Sequence, residues 1–163
     1  MAVLQTKNQI QPRWPLKIDQ SVGPYQSVDT VAESLKQDFA ILLQTIPGEW
    51  PMNPDLGVGL ATYLFENPQS LELLDIKTKI QNQLKKYLSN ITLIDAVFEQ
   101  TDEQLDNNVS VLRISYAIND LGLKDEVVYG IDFFNRRVVN VAQIALDHAE
   151  AFRPVLAPLG GLL

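Results

Sequence analysis

Paired carboxylates are the residues in this sequence that come nearest to forming a reactive site. Glycoside hydrolysis needs two carboxyl groups at a suitable separation, one of them in an apolar pocket. The candidates are five acidic residues of the first half of the chain: Glu33, Asp38, Glu49, Asp55 and Glu66. Glu49 stands beside Trp50, an arrangement that could imitate such a pocket. Any acidic protein offers as many carboxylates, so a muramidase-like hydrolase is kept as the alternative and not as the main interpretation.

The sequence does not supply the residue sets that other catalytic sites or metal sites need. The chain has one histidine, His148, and no cysteine, whereas metal sites need clustered His, Cys or carboxylate ligands. A Ser-His-Asp triad would have to use that same His148, and no serine lies in a nucleophile-elbow motif. Gly57-Val58-Gly59 is not followed by the third glycine or the Lys-Ser/Thr of a phosphate loop. We therefore expect no cofactor, no metal and no enzymatic activity.

The composition is that of one globular domain with an acidic surface. Of 163 residues, 46% are apolar and 20% are charged, which is enough to build a core. The net charge of -7 would repel nucleic acid and anionic membranes. The lysines Lys77, Lys79, Lys85 and Lys86 fall within one predicted helix and are interpreted as its solvated face. No run approaches the ~18 apolar residues of a membrane helix, so neither nucleic acid nor membrane is an expected partner.

Apolar residues at three- and four-residue steps predict two main helices. The first helix begins near Ser27, with Thr30, Ser27 and Asp29 as rival caps, and ends at Pro47-Gly48. Its apolar positions are Val28, Val31, Leu35, Phe39 and Leu42, and those of the second helix are Leu73, Ile76, Ile80, Leu84 and Tyr87. A stiff proline-rich loop and a short helix around Leu60 to Phe65 connect the two, and Asn67-Pro68 begins the second.

After Asn90 the period changes to two, which is typical of strands. Strands are predicted over 91–98, 109–118 and 127–134, with turns at 106–108 and 119–122. In the second strand Leu112 and Ile114 share one face while Arg113 and Ser115 lie on the other. The fold class is therefore α+β, with two main helices packed on an antiparallel sheet of three or more strands. We divide the chain into an extended arm (1–26), an α+β domain (27–135) and a C-terminal extension (136–163).

Two segments are candidate partner-binding surfaces. The end of the chain is almost entirely apolar, so Leu156, Leu159, Leu162 and Leu163 are expected to pack on the body or on a neighbouring subunit. The second segment is Glu49, Trp50, Pro51 and Met52 in the proline-rich loop. Its bulky residues could fill the core, or they could be exposed anchors of an interface.

The loop and the helix before it carry a resemblance to a known family. The residues concerned are the helix Leu35 to Gln44, then Thr45-Ile46-Pro47-Gly48-Glu49, then Met52, Pro54 and Gly57, and finally Leu64-Phe65-Glu66. Over about 14–118 this pattern resembles the baseplate wedge and sheath-initiator family of contractile phage tails, often labelled lysozyme-like, with relatives in type VI secretion and extracellular injection systems. The sequence departs from the family where Trp50 replaces an arginine and where Leu88-Ser89-Asn90 replaces Glu-Pro-Arg.

The resemblance implies a structural subunit of the tail baseplate that initiates sheath assembly around the tube. The partners it implies are wedge proteins and the tail sheath protein, with the tail tube as a further candidate, and about six copies around the axis. It also implies a final place in the tail baseplate or an equivalent particle. Assembly in the host cytoplasm is expected because residues 1–7 lack the apolar stretch of a signal peptide. Two other classes stay open at this point: the muramidase-like hydrolase and an adaptor unrelated to tails.

Overall fold

Two helices and an antiparallel sheet make up the part of the chain that the computed structural model describes, which is residues 10–18, 24–65, 71–99, 109–132 and 137–140. In chain order the elements are β1 (Gln11–Pro12), β2 (Ser27–Val28), α1 (Val31–Gln44), a 3-10 helix (Leu60–Phe65), α2 (Leu71–Tyr87), β3 (Ile91–Glu99), β4 (Val109–Ile118), a 3-10 turn (Asn119–Leu121), β5 (Leu123–Asp132) and β6 (Arg137–Asn140). The larger sheet has the order β3-β4-β5-β6 and is antiparallel throughout. The predicted α+β class is confirmed.

Helix α1 begins and ends where its side chains can replace missing helical bonds. Thr30 is the N-cap, and its Oγ1 accepts a hydrogen bond of 3.3 Å from the Glu33 backbone N–H. At the other end both the N–H and the hydroxyl of Thr45 donate to the carbonyl of Ile41, each at 2.8 Å. Val28, which the periodicity placed on this helix, instead lies in β2 and is buried there.

The two helices pack on one face of the sheet and form a single core. The predicted stripe of α2 is confirmed at Ile76, Ile80 and Leu84, which are buried, and Tyr87 is partly buried against the same core. Across the interface the ring of Phe39 in α1 lies 4.7 Å from the ring of Tyr116 in β4, measured between centroids. None of the helices in the described ranges combines the length and the apolar content of a membrane-spanning segment.

The sheet alternates as predicted from Leu112 to Ser115, whereas Ser110 and Val111 before them are both buried, and an extra residue shifts the alternation in β3. In β4, Leu112 and Ile114 are buried while Arg113 and Ser115 are only partly so. In β3 the register with β4 slips between Leu93 and Asp95, so the strand contains a β-bulge. Ile91 and Leu93 face the core before the bulge, and Ala96 and Phe98 pack against it afterwards.

Strand β5 and the N-terminal segment differ from the expectation in extent. β5 begins at Leu123 rather than Val127, directly after the turn in which Gly122 adopts a φ of 61°. Near the N-terminus, β1 pairs with β2, and the Gln37 side chain binds both the Trp14 N–H and the Pro12 carbonyl, at 2.7 and 2.9 Å. The arm therefore contacts α1, while the Trp14 side chain stays exposed. The three-part division of the chain stays a prediction.

Candidate functional site

The loop between α1 and the first 3-10 helix, residues 45–59, is held by its own backbone; we call it the Pro-Gly-Glu loop. The Gly48 N–H donates to the Pro54 carbonyl at 2.8 Å, and the Asn53 N–H donates to the Trp50 carbonyl at 2.9 Å. Glu49 binds Ile46 twice: its N–H donates to the Ile46 carbonyl at 3.1 Å, and its Oε2 accepts the Ile46 N–H at 3.0 Å. The Glu49 carboxylate therefore closes the turn that presents the residues after it.

Helix α2 holds the same loop from the side. The Gln83 side chain donates to the Asp55 carbonyl at 2.8 Å and accepts the Gly57 N–H at 3.0 Å. One helical turn later, the Tyr87 hydroxyl donates to Asn53 Oδ1 at 2.8 Å, and Lys86 Nζ lies 3.2 Å from the Asp55 carboxylate. Hydrogen bonds to Tyr87 and then Asp55 raise the pKa of Lys86. The apolar periodicity of α2 gave no indication of this contact, because Gln83 and Lys86 belong to its polar positions.

Two glycines allow the loop to lie against the end of α1. Gly57 has a φ of 111°, and a Cβ added to it would lie 2.1 Å from the Thr45 carbonyl oxygen. Gly59 has a φ of 71°, and its Cβ would lie 2.9 Å from Pro47 Cδ. This close approach brings the Val58 N–H to the Leu42 carbonyl at 3.0 Å. Any side chain at Gly57 would separate the loop from α1.

The result is an apolar tip, defined here as Trp50, Pro51 and Met52, that projects from a fixed loop. The side chains of Trp50 and Met52 are 56% and 97% exposed. Of the two interpretations left open by the sequence, packing in the core is therefore wrong for both residues. Exposed apolar side chains on a rigid loop are the form that interface anchors take. That a partner covers the apolar tip stays a prediction.

The candidate carboxylates of a hydrolase are dispersed among structural contacts. Glu49 binds the loop backbone and Asp55 pairs with Lys86, while Glu33 Oε2 lies 3.5 Å from Arg13 Nη2. Within residues 10–18, 24–65, 71–99, 109–132 and 137–140, no three His, Cys, Asp or Glu side chains are grouped so that they could hold a metal ion. Glu66 and His148 lie outside the described residues. The geometry supports a scaffold better than it supports a reactive pair.

The other candidate positions divide between described and undescribed parts of the chain. Leu88-Ser89-Asn90 forms the tight link from α2 to β3, in which the Ile91 N–H donates to the Leu88 carbonyl at 3.0 Å. The Asn90 carbonyl accepts the Asn119 N–H at 2.9 Å, which ties this link to the β4–β5 turn. The four C-terminal leucines proposed as an interface (Leu156, Leu159, Leu162 and Leu163) lie outside the described residues.

Comparison with known proteins gives one family and two solved structures. The profile of a family described as baseplate wedge protein gp25 matches residues 29–121. A crystal structure of a putative tail lysozyme from Geobacter sulfurreducens has a similar fold, with a TM-score of 0.52 and 20% identity over 64% of this chain and 93% of that one. A chain in the sixfold-symmetrised cryo-EM structure of the anti-feeding prophage baseplate has a TM-score of 0.57 and 20% identity, over 68% of this chain and 85% of that one. A search of curated protein sequences found no match.

Proposed function

The chain belongs to the baseplate wedge protein gp25 family, and we propose that within the baseplate it links wedge proteins to the first sheath ring and initiates sheath assembly around the tube. The observation that supports this most is the extent of the family match. It spans α1, the Pro-Gly-Glu loop, α2, β3 and β4, which supply most of the core and present the apolar tip. A likeness in fold to a chain of the anti-feeding prophage baseplate is consistent with it.

The apolar tip is the contact surface that we assign to a wedge or sheath partner. Its loop is already fixed by Glu49, Gln83 and Tyr87 in the unbound chain. A surface ordered in advance loses little conformational entropy when it binds, so more of the contact energy appears as affinity. Burying the Trp50 ring would also remove a large apolar area from water. A rigid loop and a partner contact are therefore compatible roles of one segment.

Replacing Trp50 and Met52 by serine is expected to weaken binding to the baseplate partner by about tenfold to a hundredfold, the range found for central aromatic anchors. Stability should change by no more than about 0.5 kcal/mol, because both side chains are exposed and no hydrogen bond of the loop uses them. Purified wedge and sheath proteins would be titrated against the variant by calorimetry, with thermal unfolding measured in parallel.

The matched control for the tip variant is Ile41→Ser together with Val31→Ser. These residues are exposed apolar positions of α1, at 41% and 56%, and lie outside the Pro-Gly-Glu loop. The control should keep full affinity. If wild type and tip variant bind with equal affinity, or if tip variant and control lose the same affinity, the apolar tip is not part of the interface.

We propose that the function includes no catalysis, because the Glu49 carboxylate contacts the loop's own backbone in a turn open to solvent. A general acid in a glycosidase instead needs an apolar pocket close to a second carboxyl group. Purified wild-type protein is expected to leave peptidoglycan intact in a turbidity assay, as should Glu49→Gln. Clearing by wild type that Glu49→Gln abolishes while the fold is kept would establish the muramidase alternative.

The remaining parts of the proposal concern the assembly as a whole. We propose six copies around the tail axis, synthesis and assembly in the host cytoplasm, and contacts with wedge proteins, the sheath and the tail tube. The apolar C-terminal residues Leu156, Leu159, Leu162 and Leu163 are proposed as a second interface. A stable monomer with no affinity for any tail protein would favour the adaptor class instead.

A further inference from the structure

The thioether of Met52 is the most readily oxidised group of the apolar tip. The chain contains no cysteine and two methionines, Met1 and Met52. A cysteine thiolate would react first with a peroxide, and in a chain without thiols the methionine sulfur is the side-chain group that a mild peroxide oxidises next. Met52 is therefore the position inside the chain at which such an oxidant is expected to act.

The structure leaves this sulfur open to solvent. Residues Trp50 to Asn53 form a turn, closed by the Asn53 N–H that donates to the Trp50 carbonyl at 2.9 Å, so Pro51 and Met52 occupy its two central positions. The Asn53 side chain accepts the Tyr87 hydroxyl at 2.8 Å, which fixes the turn on α2. Met52 is 97% exposed. An oxidant can therefore reach the sulfur without any movement of the loop.

The exposure of Met52 also means that its oxidation would leave the fold intact. In a core the sulfoxide oxygen would have to be desolvated, which is why oxidation of buried methionines disrupts packing. The Met52 side chain packs against almost nothing in this chain, so the new oxygen stays in water. The hydrogen bonds from Glu49, Gln83 and Tyr87 that hold the loop do not use the Met52 side chain. The effect of oxidation is therefore confined to the surface that the apolar tip presents.

We propose that Met52 is an oxidation site that controls the apolar tip, an inference that rests on the function proposed above. A hydroperoxide transfers its terminal oxygen to the sulfur lone pair: the S–O bond forms, the O–O bond breaks, and the proton of the transferred oxygen moves to the leaving oxygen. The sulfur is oxidised by two electrons, and the hydroperoxide is reduced to an alcohol, or to water where it is hydrogen peroxide. A partner surface that fits an apolar thioether leaves the sulfoxide oxygen without a donor, so the affinity of the tip falls.

The same geometry restricts the reaction to the unassembled chain. A partner that covers the apolar tip shields the sulfur, whereas the sulfoxide of a free chain is open to a reductase. Such an enzyme returns the sulfoxide to the thioether, while two thiols are oxidised to a disulfide and the oxygen leaves as water. The chain has no thiol of its own, so the electrons come from the reductase. Oxidation thus withholds a free subunit from assembly reversibly and spares an assembled one.

Peroxide treatment of the full chain, followed by peptide mass spectrometry, tests the site without a partner. Leu43→Met provides the control, because Leu43 is fully buried and the two side chains have similar volumes. In this variant Met52 should be oxidised at least about tenfold faster than the introduced sulfur, since susceptibility follows exposure. The unfolding temperature of wild type should be the same before and after treatment. Equal oxidation rates at the two sulfurs, or a lower unfolding temperature of treated wild type, overturns the inference.

The effect on binding is measured by titrating purified wedge and sheath proteins against treated and untreated wild type, after the peroxide has been removed. Treated protein is expected to bind its partner about tenfold more weakly, and incubation with methionine sulfoxide reductase and a thiol should restore the affinity. Met52→Leu keeps an apolar side chain without sulfur and is compared only with itself, before and after treatment. A loss of affinity in treated Met52→Leu would place the damage elsewhere, such as at Trp50, and would exclude Met52 as its cause.

Shielding is measured by treating the partner complex in the same way. Oxidation of Met52 should be at least about tenfold slower in the complex than in the free chain, because the partner covers the sulfur. An equal rate in the two states would show that the apolar tip stays uncovered and that assembly does not protect it.

The two proposals fail in different measurements. If the Trp50 and Met52 serine variant binds weakly but treated wild type binds as well as untreated wild type, the oxidation inference is wrong while the proposed function is kept. If untreated wild type binds no baseplate protein, the proposed function is wrong, and the effect of oxidation on assembly is wrong with it. The comparison of the two sulfurs in Leu43→Met needs no partner and decides separately whether Met52 is the reactive position.

Discussion

Replacing Gly57 by alanine is expected to lower the free energy of unfolding by about 3 kcal/mol or more, since backbone strain and a steric clash act at the same position. At a φ of 111° an L side chain is strained, and the new Cβ would lie 2.1 Å from the Thr45 carbonyl oxygen. Backbone atoms on both sides must move to relieve this contact. The Gly57 N–H would then leave Gln83, and the Val58 N–H would leave the Leu42 carbonyl.

Gly48→Ala is the control for the loss of Gly57. Its φ of 95° imposes the same kind of strain, but nothing lies within 4 Å of an added Cβ, so a loss of only about 1 kcal/mol is expected. Chemical denaturation of both variants measures the difference. Equal stability of the two variants would mean that Gly57 is needed for its conformation alone and that the loop does not pack against α1 as described.

The sequence was most informative where one face of an element is buried. In α2 the spacing of Ile76, Ile80 and Leu84 places these residues on one side, and all three are buried. In β4 the alternation of Leu112 with Arg113 predicts which face meets the helices. A buried face requires apolar side chains at the period of its helix or strand. This pattern can therefore be recognised in a single sequence.

The sequence was least informative where a side chain acts across the fold. Gln83 holds residues that are distant in sequence, and an amide on a polar helical position has no local pattern to distinguish it. The bulge in β3 could not be predicted either, because apolar residues stand on both sides of Asp95: Leu93 and Ile94 precede it, and Ala96, Val97 and Phe98 follow it. Without the bulge, strict alternation would place Asp95 on the same face as Ile91 and Leu93.

The exposure of Trp50 illustrates a third limit. Proline-rich loops with bulky residues occur both over cores and at interfaces, and residue type alone does not separate the two cases. Here the loop's hydrogen bonds to α2 and the close approach at Gly57 direct the chain so that the apolar tip points outward. The same contacts that fix the loop are therefore responsible for its exposed apolar residues.

Loss of this chain from the baseplate is expected to have the largest effect on assembly. On the function proposed here, the chain presents the apolar tip and the C-terminal leucines to neighbouring subunits. Every 1.4 kcal/mol of lost contact lowers an association constant tenfold, and contacts repeated around a ring act together. We therefore expect sheath to begin on baseplates without the chain at least about tenfold less often than on complete ones.

Electron microscopy of particles assembled by co-expression of the cognate tube, wedge and sheath proteins, with and without this chain, is the most direct measurement. The proposed function predicts sheath rings that start at the baseplate when the chain is present, and bare tubes or detached sheath when it is omitted. Tails whose sheath polymerises from the baseplate equally well in its absence would contradict the initiator role.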